Sequence, residues 1–405
     1  MAVQEQELVG KPPRASLVND PKVRGIFYQV VLVAAVAYIG WEIVHNTIIN
    51  LEKRNIAAGF GFLETTAGFG IIQSLVEYSE VSSYGRALLV GIFNTIAVAA
   101  VGIIMATIIG FIVGIARLSN NWVISKLAYC YIEILRNIPL LLQIFFWYFA
   151  ALRAVPDSRS EPLSLFGVMF LNIGGLWMPK PIYESGSSIV VGALIAGIVL
   201  AFIVKRWAHK RQMATGQQFP VFWTAFGLII GLPVIAYLVT GMPISLEHPE
   251  FVHEGPILRR GFQIGIGTNV IPEFIALLLA LSFYTASFIA EIVRAGIQAV
   301  SHGQTEAAHA LGIRHGPTLR LVIIPQAMRV IIPPLTSQYL NLTKNSSLAV
   351  AIAYPDLVSV GGTVLNQTGQ AIEVIGIWML VYLSLSLATS AFMNWYNQRM
   401  ALVER

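Results

Sequence analysis

The sequence predicts an all-α polytopic membrane protein of about eight transmembrane helices. Two features of composition and one pattern lead there. Hydrophobic residues make up 56% of the 405 residues and charged ones only 12%, against about 25% charged in an ordinary soluble domain. Apolar runs near the ~20 residues that a helix needs to cross a bilayer recur along the chain. No stretch leaves room for a separate soluble domain of ordinary size, and no nucleotide-binding loop is seen. Cys130 is the single cysteine, which rules out an intrachain disulfide and argues against a Cys-based metal cluster. The first 20 residues are polar, carry Pro12-Pro13 and lack an apolar core segment, so no cleaved signal peptide is expected.

The expected spans are 26–44, 86–115, 124–151, 188–206, 219–241, 273–296, 328–350 and 373–396. With the N-terminus inside, the inner segments hold about twice as many Lys and Arg as the outer ones. That bias places both termini and residues 301–325 in the cytoplasm. It also accounts for the net charge of +5 without a nucleic-acid partner.

Residues 1–24 read as a short cytoplasmic arm, followed by a first span with Trp41 and Glu42 near its outer end. In the outer segment 46–85, Gly59–Leu63 and Phe69–Ile72 alternate aromatic and small residues. They suit a surface helix lying at the membrane interface, with a substrate gate as the other reading. Gly110 and Gly114 in the second span have the spacing that lets helices approach closely. The third span carries Glu133, Arg136, Asn137, Pro139 and Gln143. Ionisable groups inside a span are functional candidates, so Arg136 is a candidate for the substrate path. A structural pair with Glu133, three residues away, is its competing explanation. Residues 153–187 are too rich in Pro and Gly for a span, and 188–241 form a hairpin anchored by Lys205, Arg206, Lys210 and Arg211. The outer segment 242–271 holds His248 and His253 among acids, with no defensible metal geometry. The sixth span ends on Glu291 and Arg294, either an ion pair or, for Glu291, a countercharge on the substrate path.

The next stretch is Glu306-Ala307-Ala308-His309-Ala310-Leu311-Gly312, followed by Val322-Ile323-Ile324-Pro325. Ser301 and Gln304 have capping-box spacing, Gly312 can end a short helix in left-handed backbone, Gly316-Pro317 suits a turn, and Pro325 breaks the second helix. The product is a cytoplasmic helix-turn-helix knob whose Ala307, Ala308 and Ala310 leave a shallow surface for another protein. Beyond it Pro333-Pro334 should kink or interrupt the span. The run Gln338, Asn341, Lys344, Asn345, Ser346 is too polar to face lipid and must face helices or a water-filled cavity. Such groups suit a zwitterion, whose two charges need partners on the way across: Lys344 for a carboxylate, Asn345 and Ser346 for either end. The alternative is that Lys344 caps carbonyls of neighbouring helices.

The Glu-Ala-Ala, Gly and terminal Pro spacing resembles the coupling loop of ABC-importer permeases. Further matches are Ser83–Leu88 with Asn94-Thr95, Tyr131–Gln143, Ala290–Gly296 and Lys344–Ala349. Together they resemble the membrane subunits of the polar amino-acid uptake family, over roughly 83–152 and 273–396. The added first span, the 188–241 hairpin and the Gly59–Leu63 stretch make the chain similar to the first permease subunit of the general L-amino-acid (glutamate/glutamine/aspartate/asparagine) type. The resemblance implies a type I ABC importer permease fold in the bacterial inner membrane. It implies a second permease subunit, two ATP-binding subunits and a periplasmic amino-acid-binding protein as partners, and an L-amino acid as substrate. ATP and Mg would sit on the ATPase, with no cofactor on this chain. Glu306, Ala307, Ala308, Gly312 and Pro325 would carry docking. Lys344, Asn345, Ser346, Asn341, Gln338, Arg136 and Glu291 are the residues assigned to the substrate path.

The chain then divides into 1–85 (arm, extra span and outer segment), 86–152 (first part of the permease core), 153–272 (inserted loops and hairpin) and 273–405 (second part of the core, with the coupling loop at 301–325). An ion-coupled secondary transporter is the alternative; it needs mid-depth coupling groups and often a repeat, and it leaves the knob unexplained. A membrane enzyme would need a motif such as His-Glu-x-x-His or Gly-x-Ser-x-Gly, and none is found.

Overall fold

The computed structural model describes residues 21–53, 58–252, 261–263 and 265–400. Residues 1–20 of the expected arm, as well as His253 and Arg259-Arg260, lie outside that set. Helix α1 (Pro21–Lys53) opens the described chain and exposes its apolar side chains all round, Phe27, Leu32 and Trp41 among them. α2 (Tyr84–Arg117) starts where the Ser83 hydroxyl accepts from the Arg86 amide, 3.3 Å, satisfying one of the free amides of a helix start.

The third expected span is not one helix. α3 (Trp122–Asn137) and the segment beginning with α4 (Leu140–Phe145) meet at a bend of 107°. The reason is local. A residue before Pro is pushed out of the helical region, and Ile138 is extended, φ −95° and ψ 127°. Gln143 then caps the break, its amide donating to the carbonyls of Leu135 (2.8 Å) and Ile138 (2.9 Å).

The insertion departs from the helical expectation at its outer end. Strands β1 (Leu163–Leu165), β2 (Met169–Asn172), β3 (Gly175–Met178) and β4 (Lys180–Tyr183) precede α5 (Ser187–Thr215), α6 (Val221–Phe226) and α7 (Leu232–Val239). β5 (Ile244–Glu247), β6 (Phe251–Val252), β7 (Gly261–Phe262) and β8 (Thr268–Val270) follow. β1-β2-β3-β8 form an antiparallel sheet, and β4-β5 and β6-β7 form two-stranded ribbons. Phe262 joins the four-stranded sheet to the β6-β7 ribbon, stacked on Trp177 at 4.6 Å and meeting Phe170 and Phe251 at 5.7 and 5.2 Å. α5 packs chiefly on α6 and α7 rather than on a core helix.

The second half contains α8 (Pro272–Gln298), α9 (His302–Ala310), α10 (His315–Thr318), α11 (Ile324–Asn345), α12 (Leu357–Thr368) and α13 (Ala371–Met400). Among the described residues seven helices are long and apolar enough to cross a membrane, or eight when the bent α3 segment is counted as one span. α2 and α8 run side by side and in the same direction as the structural axis. Gly102, Ala106, Gly110 and Gly114 are buried on one face of α2. A Cβ at Gly110 would stand 2.6 Å from that of Ile289, and one at Gly114 2.7 Å from the Ala290 carbonyl oxygen. Only glycine allows that approach. Leu277, Leu281, Ile289, Ile332 and Leu342 fill the main core around them.

A second core lies toward the outer end, where Phe62 and Ala67 pack with Tyr84, Leu88, Leu357, Val360 and Val374. The surface helix expected over 59–72 is therefore corrected. Only Phe60–Glu64 is helical, as a short 3-10 turn, and the rest is an irregular strap tied to the core. Ala67 and Tyr84 make backbone bonds to Ser82 (2.8 Å) and Thr65 (3.0 Å). Phe62, Leu63, Ala67, Phe69 and Ile71 face the protein, while Phe60 and Ile72 stay exposed.

Candidate functional site

The knob is built as a helix pair, with corrections in detail. Ser301 precedes α9, but its side chain makes no capping bond; Gln304 instead accepts from Gln326 of α11, 3.3 Å. Gly312 stands at φ +71°. The Ile313 amide bonds the Ala308 carbonyl (3.1 Å), and the Gly312 amide bonds that of His309 (2.9 Å), the paired pattern that closes a helix on a left-handed glycine. Gly316-Pro317 is not a turn between helices: both residues lie inside α10, after Arg314. Nor does Pro325 break the second helix. A π-helical turn at Leu319–Ile323 runs directly into α11, with Pro325 in its first turn, where a missing amide is tolerated. Glu306, Ala307, Ala310 and Gly312 are exposed, whereas Ala308 is buried. The exposed alanine surface is therefore narrower than the three alanines suggested.

From His315 to Ile352 the chain is helical throughout. Pro333 and Pro334 lie inside α11 without interrupting it, so of the expected kink or interruption the interruption is excluded. The change comes later, where a 3-10 segment, Ser346–Ile352, follows Asn345. One face of α11 is buried through Ile331, Ile332, Leu335 and Leu342. The opposite face exposes Pro333, Pro334, Ser337, Asn341 and Lys344. That spacing of three to four residues is one stripe of a helix, and it is polar at membrane depth.

The predicted path residues separate into groups. Asn341 and Lys344 share the exposed stripe, with Gln338 and Asn345 half-buried at its edge. Ser346 is fully buried and donates to the Thr343 carbonyl, 2.8 Å; it faces inward. Arg136 does not pair with Glu133. Its guanidinium lies 5.1 Å from the Phe288 ring centre, while the Asn137 amide approaches Glu133. Glu291 is held by Arg294, with a 3.0 Å bond from Nε and a second, shorter one from Nη2. The two form an ion pair, as the structural explanation of Glu291 expected.

A polar cluster escaped the sequence reading. Asn94 is fully buried and donates from Nδ2 to the carbonyls of Gln73 and Pro355, each 2.9 Å. Thr95 accepts from the Leu357 amide, 3.0 Å. Asp356 is fully buried, caps α12 through the Ser359 amide (2.8 Å) and has the Tyr382 hydroxyl 3.5 Å away. Burial pushes its carboxyl up to about 7, with backbone amides acting against the rise. Adjacent Asn94 and Thr95 in an otherwise apolar span were the available signal.

Comparison with known proteins fits this arrangement. Residues 188–402 match the family described as "Binding-protein-dependent transport system inner membrane component". The chain is 56% identical over 390 residues to the general L-amino acid transport system permease protein AapQ of Rhizobium johnstonii, covering 96% of this chain and 95% of that protein. It is 51% identical to the putative amino-acid ABC transporter permease protein YhdX of Escherichia coli, over 95% of this chain and 96% of the other. It is 39% identical to the glutamate/glutamine/aspartate/asparagine transport system permease protein BztB of Rhodobacter capsulatus, over 98% of this chain and 100% of the other. The chain belongs to this family of inner-membrane components of binding-protein-dependent transport systems: it is an ABC-importer permease subunit, a transport protein and not an enzyme.

Proposed function

We propose that this chain forms half of a path for L-amino acids across the inner membrane. In this reading it is paired with a second permease, driven by two ATP-binding subunits and supplied by a periplasmic binding protein. The observation that carries the reading is the polar stripe of α11. Asn341 and Lys344 are exposed on a spanning helix, and lipid is a poor neighbour for them. A second permease across a hydrated path satisfies them, and a zwitterion can meet the Lys344 ammonium with its carboxylate.

The second helix of the knob, α10, and the stripe belong to one helical run, His315–Ile352, and α9 is joined to that run by the Gln326–Gln304 hydrogen bond, 3.3 Å. From Thr318 to Lys344 that run is roughly 40 Å long at the α-helical rise. An ATPase that closes on Glu306 and Gly312 therefore moves a rod whose far end carries the path residues. ATP and Mg belong to the ATPase. The relatives named for general or acidic amino acids and their amides support a broad L-amino-acid substrate class. The ion-coupled alternative has nothing in its favour once the family is known.

The test is uptake by the reconstituted complex with a panel of labelled L-amino acids. ATP-dependent uptake of several, lost when the ATPase is omitted, is expected. A label at His309 reachable only from the periplasmic side would overturn the reading.

A further inference from the structure

At the inner end of α2 a small pocket of about 280 Å³ is lined by Arg117, Trp122, Ser125, Lys126 and Tyr129. Its construction is specific. Arg117 ends α2, and Ser125 lies in the opening turns of α3. The guanidinium donates to the Ser125 hydroxyl, 3.0 Å, and that hydroxyl donates back to the Arg117 carbonyl, 2.9 Å. Arg117 and Lys126 then stand over the same Tyr129 ring, 4.9 and 5.1 Å from its centre. Glu291 of α8 is already bound by Arg294. Two cations are thus held together around a pocket with no carboxylate among its lining residues.

Its position identifies the ligand. Gly114 of α2 packs on Ala290 and Val293 of α8, just before the knob, so Arg117 lies at the cytoplasmic membrane surface. Trp122 is 75% exposed, as suits an aromatic ring at headgroup depth. Val123, Leu127 and Ile134, exposed on a neighbouring face of α3, offer an apolar surface beside the pocket. A free inorganic anion would use the cations but not that surface; an anionic phospholipid uses both. We propose that Arg117, Lys126 and Ser125 bind the headgroup phosphate of an anionic phospholipid of the inner leaflet. Its acyl chains lie along α3, and Tyr129 keeps the two cations in place.

The purified complex with its partner subunits, in nanodiscs, tests this. Native mass spectrometry would follow retention of dioleoyl-phosphatidylglycerol against dioleoyl-phosphatidylcholine, with and without inorganic phosphate. Each cation near a charged leaflet contributes a factor of about five. Wild type should therefore prefer phosphatidylglycerol by roughly tenfold or more. K126Q, a change at an exposed side chain, should lose about fivefold, and R117Q/K126Q most of the preference. K205Q/K210Q, remote inner charges, should lose none. Unchanged retention in K126Q, an equal loss in the remote control, or displacement of the lipid by millimolar phosphate would overturn the proposal. The last outcome would make the pocket a free-anion site.

Discussion

Asn94 and Pro355 are 261 positions apart, yet the Asn94 amide donates a 2.9 Å bond to the Pro355 carbonyl inside the outer half of the bundle. The same nitrogen holds the Gln73 carbonyl of the strap. One buried side chain thus fastens the strap and the start of α12 to α2. In Asn94→Ala both carbonyls lose their donor, each a cost of about 1–3 kcal/mol where the group stays buried. The strap should loosen, seen as faster proteolytic cleavage within residues 65–83 of right-side-out vesicles. Cleavage at the wild-type rate would mean that the Ser82 and Thr65 backbone bonds hold the strap unaided.

Asp356 lies between two spans, and its pKa in the folded protein, about 7, stands above the ~3.9 of an unfolded aspartate. The folded state therefore keeps a proton that the unfolded chain has released. Its stability contribution is present in full below about pH 4 and is lost as pH rises to about 7, with at most ~1.4 kcal/mol per pH unit. Asp356→Asn removes this slope. Thermal denaturation of the complex between pH 5 and 8 should show the wild type weakening relative to the variant; parallel profiles would sink the idea.

Close contact of α2 and α8 leaves no volume at Gly114. Gly114→Val places new atoms against the Ala290 carbonyl and Val293, and overpacking of this kind costs about 1–3 kcal/mol. A lower melting temperature in detergent is expected, with a smaller drop for Gly114→Ala. Wild-type melting of the valine variant would show that the helices can part at no cost.

Gly312 is a different case, because nothing lies within 4 Å of a Cβ there and only its φ of +71° is restrictive. Gly312→Val should strain the knob by about 1–2 kcal/mol while membrane insertion stays intact. Gly312→Asn should be milder. The measurement is ATPase stimulation by loaded binding protein, reduced several-fold in the valine variant. Full stimulation would remove Gly312 from docking.

Lys344→Met keeps much of the side chain's length and removes its charge. Since Lys344 is exposed, assembly should survive and uptake should fall about tenfold, the size of one lost charge-assisted hydrogen bond. Unchanged kinetics with normal assembly would give Lys344 a scaffold role.

Spans and knob were legible because each is written in local terms. Apolar length and a left-handed glycine are properties of a few neighbouring residues. The bend before Pro139 was equally local, in Ile138-Pro139 and Gln143, but its size was not. Pro325 misled for a related reason: it fell in a helix's first turn and ended nothing, while Pro333-Pro334 lie within a helix that continues through them.

What the sequence determined alone is a polytopic helical bundle with a helix-turn-helix knob at 301–325 and a polar run in its last third. Hydrophobic length and charge asymmetry act through the bilayer before any helix meets another. Only the tertiary structure decided which polar groups face outward. It put Ser346 inside and Lys344 outside, spent Glu291 on Arg294, and folded the 59–83 strap against α2 rather than onto the membrane. Side-chain direction depends on how far each helix is rotated against its neighbours, and that rotation is set by packing between residues hundreds of positions apart.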